Sequence, residues 1–386
     1  PYRRQRQMCI RDSFHFLIPF FNEAKLWNYF SIYLPFPALK HEKMFTFAGK
    51  LHINNFSCIM ANVIKIKKGL DINLKGKASD VLLNGGKSES YAIVPDYYNG
   101  ILPKVVAKVG EKVKAGSVLM IDKNRPEIKF VSPVSGEVTA VNRGEKRKVL
   151  SIVVKPDAQI EYEEFGKKNV ASLQGAEVKE VLLNAGMWPF IKQRPYDIVA
   201  APLDTPRDIF VSAFYSAPLA PNFDFIVKGQ EADFQTGLNA LAKLTNGKVY
   251  VGVRSGSVVS GMKGVEIVEV EGPHPAANVG VQINHIKPVN KGEVVWTVNP
   301  ADVIVIGRLF NKGVADFSRM VAITGSETTE RGYVKTISGC TIKSLVNGKV
   351  LGQEHIRIIS GNVLTGTKVN MDGYLGAYDN QITVIP

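Results

Sequence analysis

From Val63 to about residue 160 apolar and polar residues alternate, and glycines break the alternation at short intervals. Val63-Ile64-Lys65-Ile66-Lys67 alternates, Lys68-Gly69 interrupts, and Ile72-Asn73-Leu74 resumes. Val105 to Ile121 reads as strand, tight turn and strand. Val131 to Val138 and Val149 to Val154 follow as further strands. A period of two sends successive side chains to opposite faces, so such a stretch builds half-buried strands and excludes helix. Glycine at each break supplies the positive φ that hairpin turns require. Residues 60–160 are therefore expected to form an all-β unit.

The pattern changes in residues 161–315. Asp197–Ala201, Phe223–Val227, Lys248–Val253, Val265–Val270 and Val294–Val298 read as strands. Between them, Phe234, Leu238 and Leu241 stand at i, i+4 and i+7, the stripe of an amphipathic helix. Asn299-Pro300 gives a helix cap followed by proline at the first helical position, opening a helix through Leu309. Strand–helix alternation predicts a mainly parallel α/β sheet. Sheets of this kind take phosphates at a glycine-rich turn into a helix, yet neither G-x-G-x-x-G nor G-x-x-x-x-G-K-S/T occurs. The nearest feature is Gly272-Pro273-His274-Pro275-Ala276-Ala277-Asn278-Val279-Gly280. Its two prolines favour a rigid strand-to-helix turn over a phosphate cradle. Gly272, His274, Asn278, Gly280 and His285 are the candidate contact residues on this loop and the helix after it. Residues 316–386 return to short strands, with Cys340–Val346 as the short helix of a β-grasp.

The first 59 residues differ in texture. They hold 13 of the 35 aromatics and +5 of the net charge of +13. Pro19, Asn22, Glu23 and Lys25 interrupt their apolar stretch, against a signal peptide. Gln5–Asp12 resembles translated adapter sequence. The expectation is a non-native leader ahead of a true start at Met60; the alternative is a membrane-surface anchor rich in Phe and Trp. Deleting residues 1–59 should then leave the melting temperature of the remainder unchanged.

Residues 105–138, with V-G-x-x-V-x-x-G followed by S-P-x-x-G-x-V, resemble the biotinyl/lipoyl-type barrel-sandwich hybrid. In carriers of that type a modified lysine sits at the hairpin tip. Asp122-Lys123 imitates the carrier dipeptide, but the tip here is longer and reads Asn-Arg-Pro, so Lys123 is not expected to carry a prosthetic arm.

A broader resemblance covers Met60 to Pro386. Ile66-Lys67-Lys68-Gly69-Leu70-Asp71-Ile72, Ser132-Pro133-Val134-Ser135-Gly136, the Gly272–Gly280 loop, Val294–Val303 and Tyr374–Gln381 occur in family order. The family they resemble is that of the A subunits of the bacterial Na⁺-translocating NADH:quinone oxidoreductases. The resemblance implies a barrel-sandwich hybrid, a Rossmann-like α/β domain and a soluble-ligand-binding β-grasp domain. It also implies a C-terminal helical region, before which this chain reads as cut short. It further implies a peripheral subunit on the cytoplasmic face of the inner membrane. The other five subunits would hold FMN, riboflavin, FAD and iron–sulfur centres, pass electrons to ubiquinone and export Na⁺. Ubiquinone is a candidate ligand. The competing reading is a soluble ligand-binding or scaffold module that shares these domains without pump activity; neighbouring genes would separate the two.

Composition narrows the chemistry. Hydrophobic residues make up 45% and charged residues 22%, and no stretch of about 18 apolar residues occurs for a membrane span. Cys9, Cys58 and Cys340 form no C-x-x-C pair, so a cysteine-held zinc or iron–sulfur centre and an electron-carrier role are excluded. No residue is expected to be catalytic, and no cofactor or metal is expected in the chain. His274 and His285 are too far apart for a metal pair and read as structural, and His355 as a surface residue. Lys65, Lys67, Lys68, Lys75 and Lys77 read as a solvated face that would also favour anionic lipid. Aromatics do not interleave with the basic residues, against nucleic acid as a partner.

Overall fold

The computed structural model describes residues 63–352 and 355–386; the expected leader falls outside them. The alternating first unit supplies β1 (Val63–Lys65), β2 (Leu82–Leu83), β3 (Tyr91–Ile93), β4 (Pro103–Val105), β5 (Lys112–Val113), β6 (Val118–Asp122), β7 (Lys129–Val131), β8 (Gly136–Arg143) and β9 (Val149–Pro156). Strands β3-β9-β8-β5 make one antiparallel sheet and β4-β6-β7 another. Leu119, Met120, Ile128, Val134, Val138, Ile152 and Val154 are buried in their shared core. The barrel-sandwich reading thus holds from β3 onward. The first two strands leave it: β1 and β2 each join a different sheet, described below. Ile72–Leu74, read as a strand, is an exposed irregular strap instead. Among the described residues it has no neighbouring strand to pair with, and alternation alone cannot supply one.

At the β6–β7 tip, Asp122 is fully buried. Its carboxylate accepts from the Leu102 and Asn124 amides and from Arg125 Nε at 2.8 Å. Arg125 in turn donates to the carbonyls of Val199 and Gly100. The tip is therefore tied down by its own arginine, and a carrier lysine needs the opposite, a free tip.

The α/β unit runs α1 (Gly175–Asn184), β10 (Ile191–Arg194), β11 (Ile198–Val199), β12 (Ile209–Ser212), α2 (Phe223–Val227), α3 (Glu231–Ala242), β13 (Val249–Val253), β14 (Glu266–Glu271), α4 (Val279–Ile286), β15 (Val295–Val298) and α5 (Pro300–Lys312). The sheet order is β1-β14-β13-β12-β15-β10-β11, parallel from β1 to β15 and antiparallel at β10 and β11. Phe223–Val227 is helix, not strand. Asn222 caps it by accepting from the Asp224 amide, and its buried residues Phe223, Ile226 and Val227 fall at helical spacing. Ile209, Val211, Val251, Trp296 and Val298 pack with α1, α3 and α5 in one apolar cluster. Phe210 and Val295, on the opposite face, meet Ile283 of α4.

Helices α3 and α5 touch backbone to backbone. A Cβ on Gly307 would overlap the carbonyl oxygen of Asp233, and one on Gly237 that of Val303. Helix α5 opens as its sequence predicts, with the Asn299 side chain accepting from the Ala301 amide and Pro300 in the first turn. It closes on Gly313 in the left-handed region at φ 78°.

The last unit contains β16 (Ser318–Thr324), β17 (Gly332–Ile337), α6 (Ile342–Val346), β18 (Arg357–Ser360), β19 (Thr367–Val369) and β20 (Gln381–Ile385). Its sheet runs β19-β18-β20-β16-β17-β2, with β20 parallel to β16 and α6 packed on Val321, Ile323, Val334, Ile382 and Val384. A hairpin, a crossing helix and a returning parallel strand are the parts of a β-grasp. Cys340 is fully buried in this core, and burial pushes its thiol pKa up.

Asp316 links α5 to this unit. Burial alone would raise its carboxyl pKa, but the Arg308 guanidinium, Ser318 and Lys312 outweigh burial and bring it down to about 2. The folded pKa lies below the unfolded value, so this stability is present above the unfolded pKa and is lost as pH falls through the folded one. Asp316→Asn should cost about 2 kcal/mol at neutral pH, shrinking as pH drops from about 4 to about 2. Urea unfolding at several pH values checks this.

Candidate functional site

Strands β14-β13-β12-β15 stand in the order 3-2-1-4, so the chain reverses direction across the sheet between β12 and β15. Open α/β sheets bind ligands outside the carboxyl ends of their strands at such a switch point, with phosphate on the turn after the first strand. That turn is Ala213-Phe214-Tyr215-Ser216-Ala217-Pro218-Leu219-Ala220-Pro221, without a glycine. Phe214 is buried, with the Arg254 guanidinium 4.6 Å from its ring centre. The Tyr215 hydroxyl donates to Asn299 Oδ1 and accepts from Asn380 Nδ2, both at 3.0 Å. Burial raises the Tyr215 phenol pKa well above its usual value, keeping it protonated. Rings and prolines stand on this turn where glycines would let backbone amides approach a pyrophosphate.

The Gly272–Gly280 loop joins β14 to α4. Gly272 takes φ +118°, and a Cβ there would run into the Ile66 carbonyl. Arg254 fastens the loop by donating to the Gly272 carbonyl at 2.8 Å. His274 is held on three sides. Its amide donates to Asp71 Oδ1 at 2.8 Å, its carbonyl accepts from the Leu70 amide, and Nδ1 lies 3.1 Å from Ser216 Oγ. Buried Gln282 donates to Ser212 Oγ and the Ala276 carbonyl, fixing α4 to the sheet. His285 Nδ1 lies 2.9 Å from the Val281 carbonyl on its own helix. Both histidines are thus engaged structurally, and among the described residues no group of three His, Cys, Asp or Glu side chains is placed to hold a metal. His274→Ala removes one part-buried hydrogen bond and should cost about 1 kcal/mol in chemical denaturation.

Two cavities flank this loop, and Phe214 and Tyr215 line both. The first, about 630 Å³, lies between the Asp71–Leu74 strap and the β12 turn, with Arg254 and Asp224 in its wall. The second, about 590 Å³, lies at the switch point and is lined by Lys192, Arg194, Thr297 and Tyr378 together with Asn278 and Gly280. The structure therefore brings two of the five sequence candidates, Asn278 and Gly280, into a cavity wall. His274 reaches only the partners that line the first cavity. Gly272 and His285 line neither. Lys192 and Arg194 escape a reading of the sequence because β10 carries no motif. Its alternation, Ile191-Lys192-Gln193-Arg194, nevertheless places both cations on one face. No helix among the described residues is long and apolar enough to cross a membrane.

Comparison with known proteins gives three family matches in succession. Residues 64–157 match the NqrA N-terminal barrel-sandwich hybrid domain, 173–315 the NqrA second alpha/beta domain, and 320–371 the NQRA C-terminal domain. The chain is 36% identical over 328 residues to the Na(+)-translocating NADH-quinone reductase A subunit of Neisseria meningitidis serogroup A, covering 84% of this chain and 73% of that protein. The protein of the same name from Yersinia pestis matches to the same extent, and that of Hahella chejuensis is 37% identical over 329 residues, again covering 84% and 73%. Among solved structures, the NAD+-reducing NiFe hydrogenase in its H2-reduced state aligns at 11% identity and a TM-score of 0.34. That alignment covers 47% of this chain and 41% of the other, a likeness too low to bear on fold or function.

Proposed function

The chain belongs to the NqrA family, the A subunits of the Na(+)-translocating NADH-quinone reductase, which are parts of a complex rather than stand-alone enzymes, and we propose that it serves there as a peripheral docking subunit without a redox centre of its own. In this reading it sits on the cytoplasmic face of the inner membrane beside five other subunits. Electrons pass through the FMN, riboflavin, FAD and iron–sulfur centres of those partners to ubiquinone, and Na⁺ is exported. The observation that carries the reading is the run of three family domains along one chain, backed by relatives of which it covers 73%. Two features of the residues support a part other than electron carriage. The turn after β12 carries Phe214 and Tyr215 and no glycine, and the single cysteine after Met60, Cys340, is sealed in an apolar core. The Gly272–Gly280 loop, with His274, Asn278 and His285, is the proposed contact surface toward a partner protein of the complex or a quinone-sized ligand.

The purified chain should show neither flavin nor iron–sulfur absorbance and should not oxidise NADH. Stoichiometric FMN or iron in a reconstituted sample would overturn the non-redox role. His274→Ala, folded and built into the complex, should weaken assembly or NADH-driven quinone reduction; wild-type turnover would remove the loop from the contact surface.

A further inference from the structure

The second cavity has features that docking alone does not use. Its charged residues are Lys192, Arg194 and Asp197, a net charge of +1. Strand β10 places Lys192 and Arg194 two residues apart on the same face. The single carboxylate serves both loosely, with Asp197 Oδ2 3.6 Å from Lys192 Nζ and Oδ1 3.4 Å from Arg194 Nη2. Arg194 lines the cavity with a side chain that is 30% exposed, and Asp197 is its one ion-pair partner among the described residues. Thr297, only 5% exposed, lines the same space from the neighbouring strand β15. Asn278 and Gly280 border it from the start of α4, where the helix dipole also favours negative charge. The apolar part of the wall comes from Phe190, Tyr215 and Tyr378, the last with Lys192 Nζ 4.0 Å from its ring centre. A volume of about 590 Å³ falls within the roughly 300–1,000 Å³ of small-molecule pockets.

We propose that this cavity binds a small phosphate ester, its phosphate between Lys192 and Arg194 and its organic part against the aromatic wall. The Arg194 guanidinium, held only loosely by Asp197, then gains a closer acceptor, and Lys192 offers a point charge from the same strand. Phosphate recognition here would come from side chains on β10 rather than from the turn after β12, which has no glycine. The phosphate could come from a free nucleotide or from a lipid headgroup, and the chemistry that recognises it is the same. This goes beyond the docking role and does not depend on it, because binding is measured on the chain outside the complex.

Calorimetric titration of the full chain with AMP, inorganic phosphate and adenosine, and cosedimentation with vesicles of phosphatidylglycerol or of phosphatidylcholine, tests the proposal. AMP should bind with a Kd of about 1 mM or tighter, and adenosine at least about tenfold more weakly. If the source is a headgroup, phosphatidylglycerol vesicles should bind instead, and the same substitutions should abolish it. Lys192→Gln and Arg194→Gln should each weaken binding by about tenfold while the unfolding midpoint stays within a few degrees. Lys192→Gln, at a partly exposed position, keeps the test open should Arg194→Gln fold poorly. Absence of binding by every phosphate probe, equal binding of AMP and adenosine, or binding indifferent to both substitutions would each overturn the site.

Discussion

Gly307→Val should destabilise the chain by about 3 kcal/mol, because the added side chain has nowhere to go. Glycine is a poor helix former, so a β-branched residue in the middle of α5 would ordinarily gain a few tenths of a kcal/mol in helix propensity. Here a Cβ at position 307 meets the Asp233 carbonyl and the Gly237 amide nitrogen, both backbone atoms of α3 that cannot swing aside. The two helices must separate, and the layer of Phe234, Leu238, Val303 and Phe310 between and beneath them loses its close packing. Gly280 is the control: it lies in the first turn of α4 with nothing within 4 Å of an added Cβ. Gly280→Ala should leave stability unchanged or slightly raised, so a pair of denaturation curves separates the packing effect from propensity.

Arg319→Met is expected to cost roughly 3–5 kcal/mol near neutral pH. Arg319 Nη2 lies 2.9 Å from Asp302 Oδ1, and both side chains are almost wholly buried where β16 meets the start of α5. Burial raises the Asp302 carboxyl to about pKa 6 even with Arg319 and Lys192 pulling it down. Removing the guanidinium leaves a buried carboxylate whose Oδ2 already lacks a partner among the described residues. The sign of the pH dependence follows from the raised value. For such a group the stability contribution is complete below the unfolded pKa and is lost as pH rises through the folded one. The variant raises that pKa further, so its deficit should be smaller at about pH 5 than at about pH 8. The double variant Asp302→Asn with Arg319→Met should be less damaged than the sum of the single ones, because no unpaired charge remains. A deficit that does not vary with pH would place the loss in packing rather than in charge.

How much of the fold can be read from the sequence depends on the range of the interaction involved. Local signals carry through. The Asn299-Pro300 cap, the Phe234–Leu238–Leu241 stripe and the Gly272–Gly280 turn all fold as their residues indicate, because each is decided within one or two helical turns. Partnerships between distant segments do not. Val63–Lys65 alternates as a strand should, but its place beside β14 is set by residues about two hundred positions away. Leu82–Leu83 joins the last sheet for the same reason, and Ile72–Leu74 finds no partner strand among the described residues. Phe223–Val227 reads as strand yet folds as helix because five apolar-rich residues fit either period. The decisive signal, Asn222 as a cap with burial at 223, 226 and 227, is present but short. At the site, the sequence points to the loop bearing Asn278 and Gly280. It cannot show that Lys192, Arg194 and Tyr378 approach that loop across the switch point, since only the strand order brings them together.

The most direct test of membership in the working complex is genetic replacement in a bacterium that depends on this reductase. With the host's own NqrA gene deleted, expression of this chain should restore Na⁺-stimulated, NADH-driven quinone reduction in isolated membranes, and the chain should copurify with the other subunits of the complex. A folded chain that is present in the cells yet leaves activity at the level of the deletion, and is absent from the purified complex, would contradict the account.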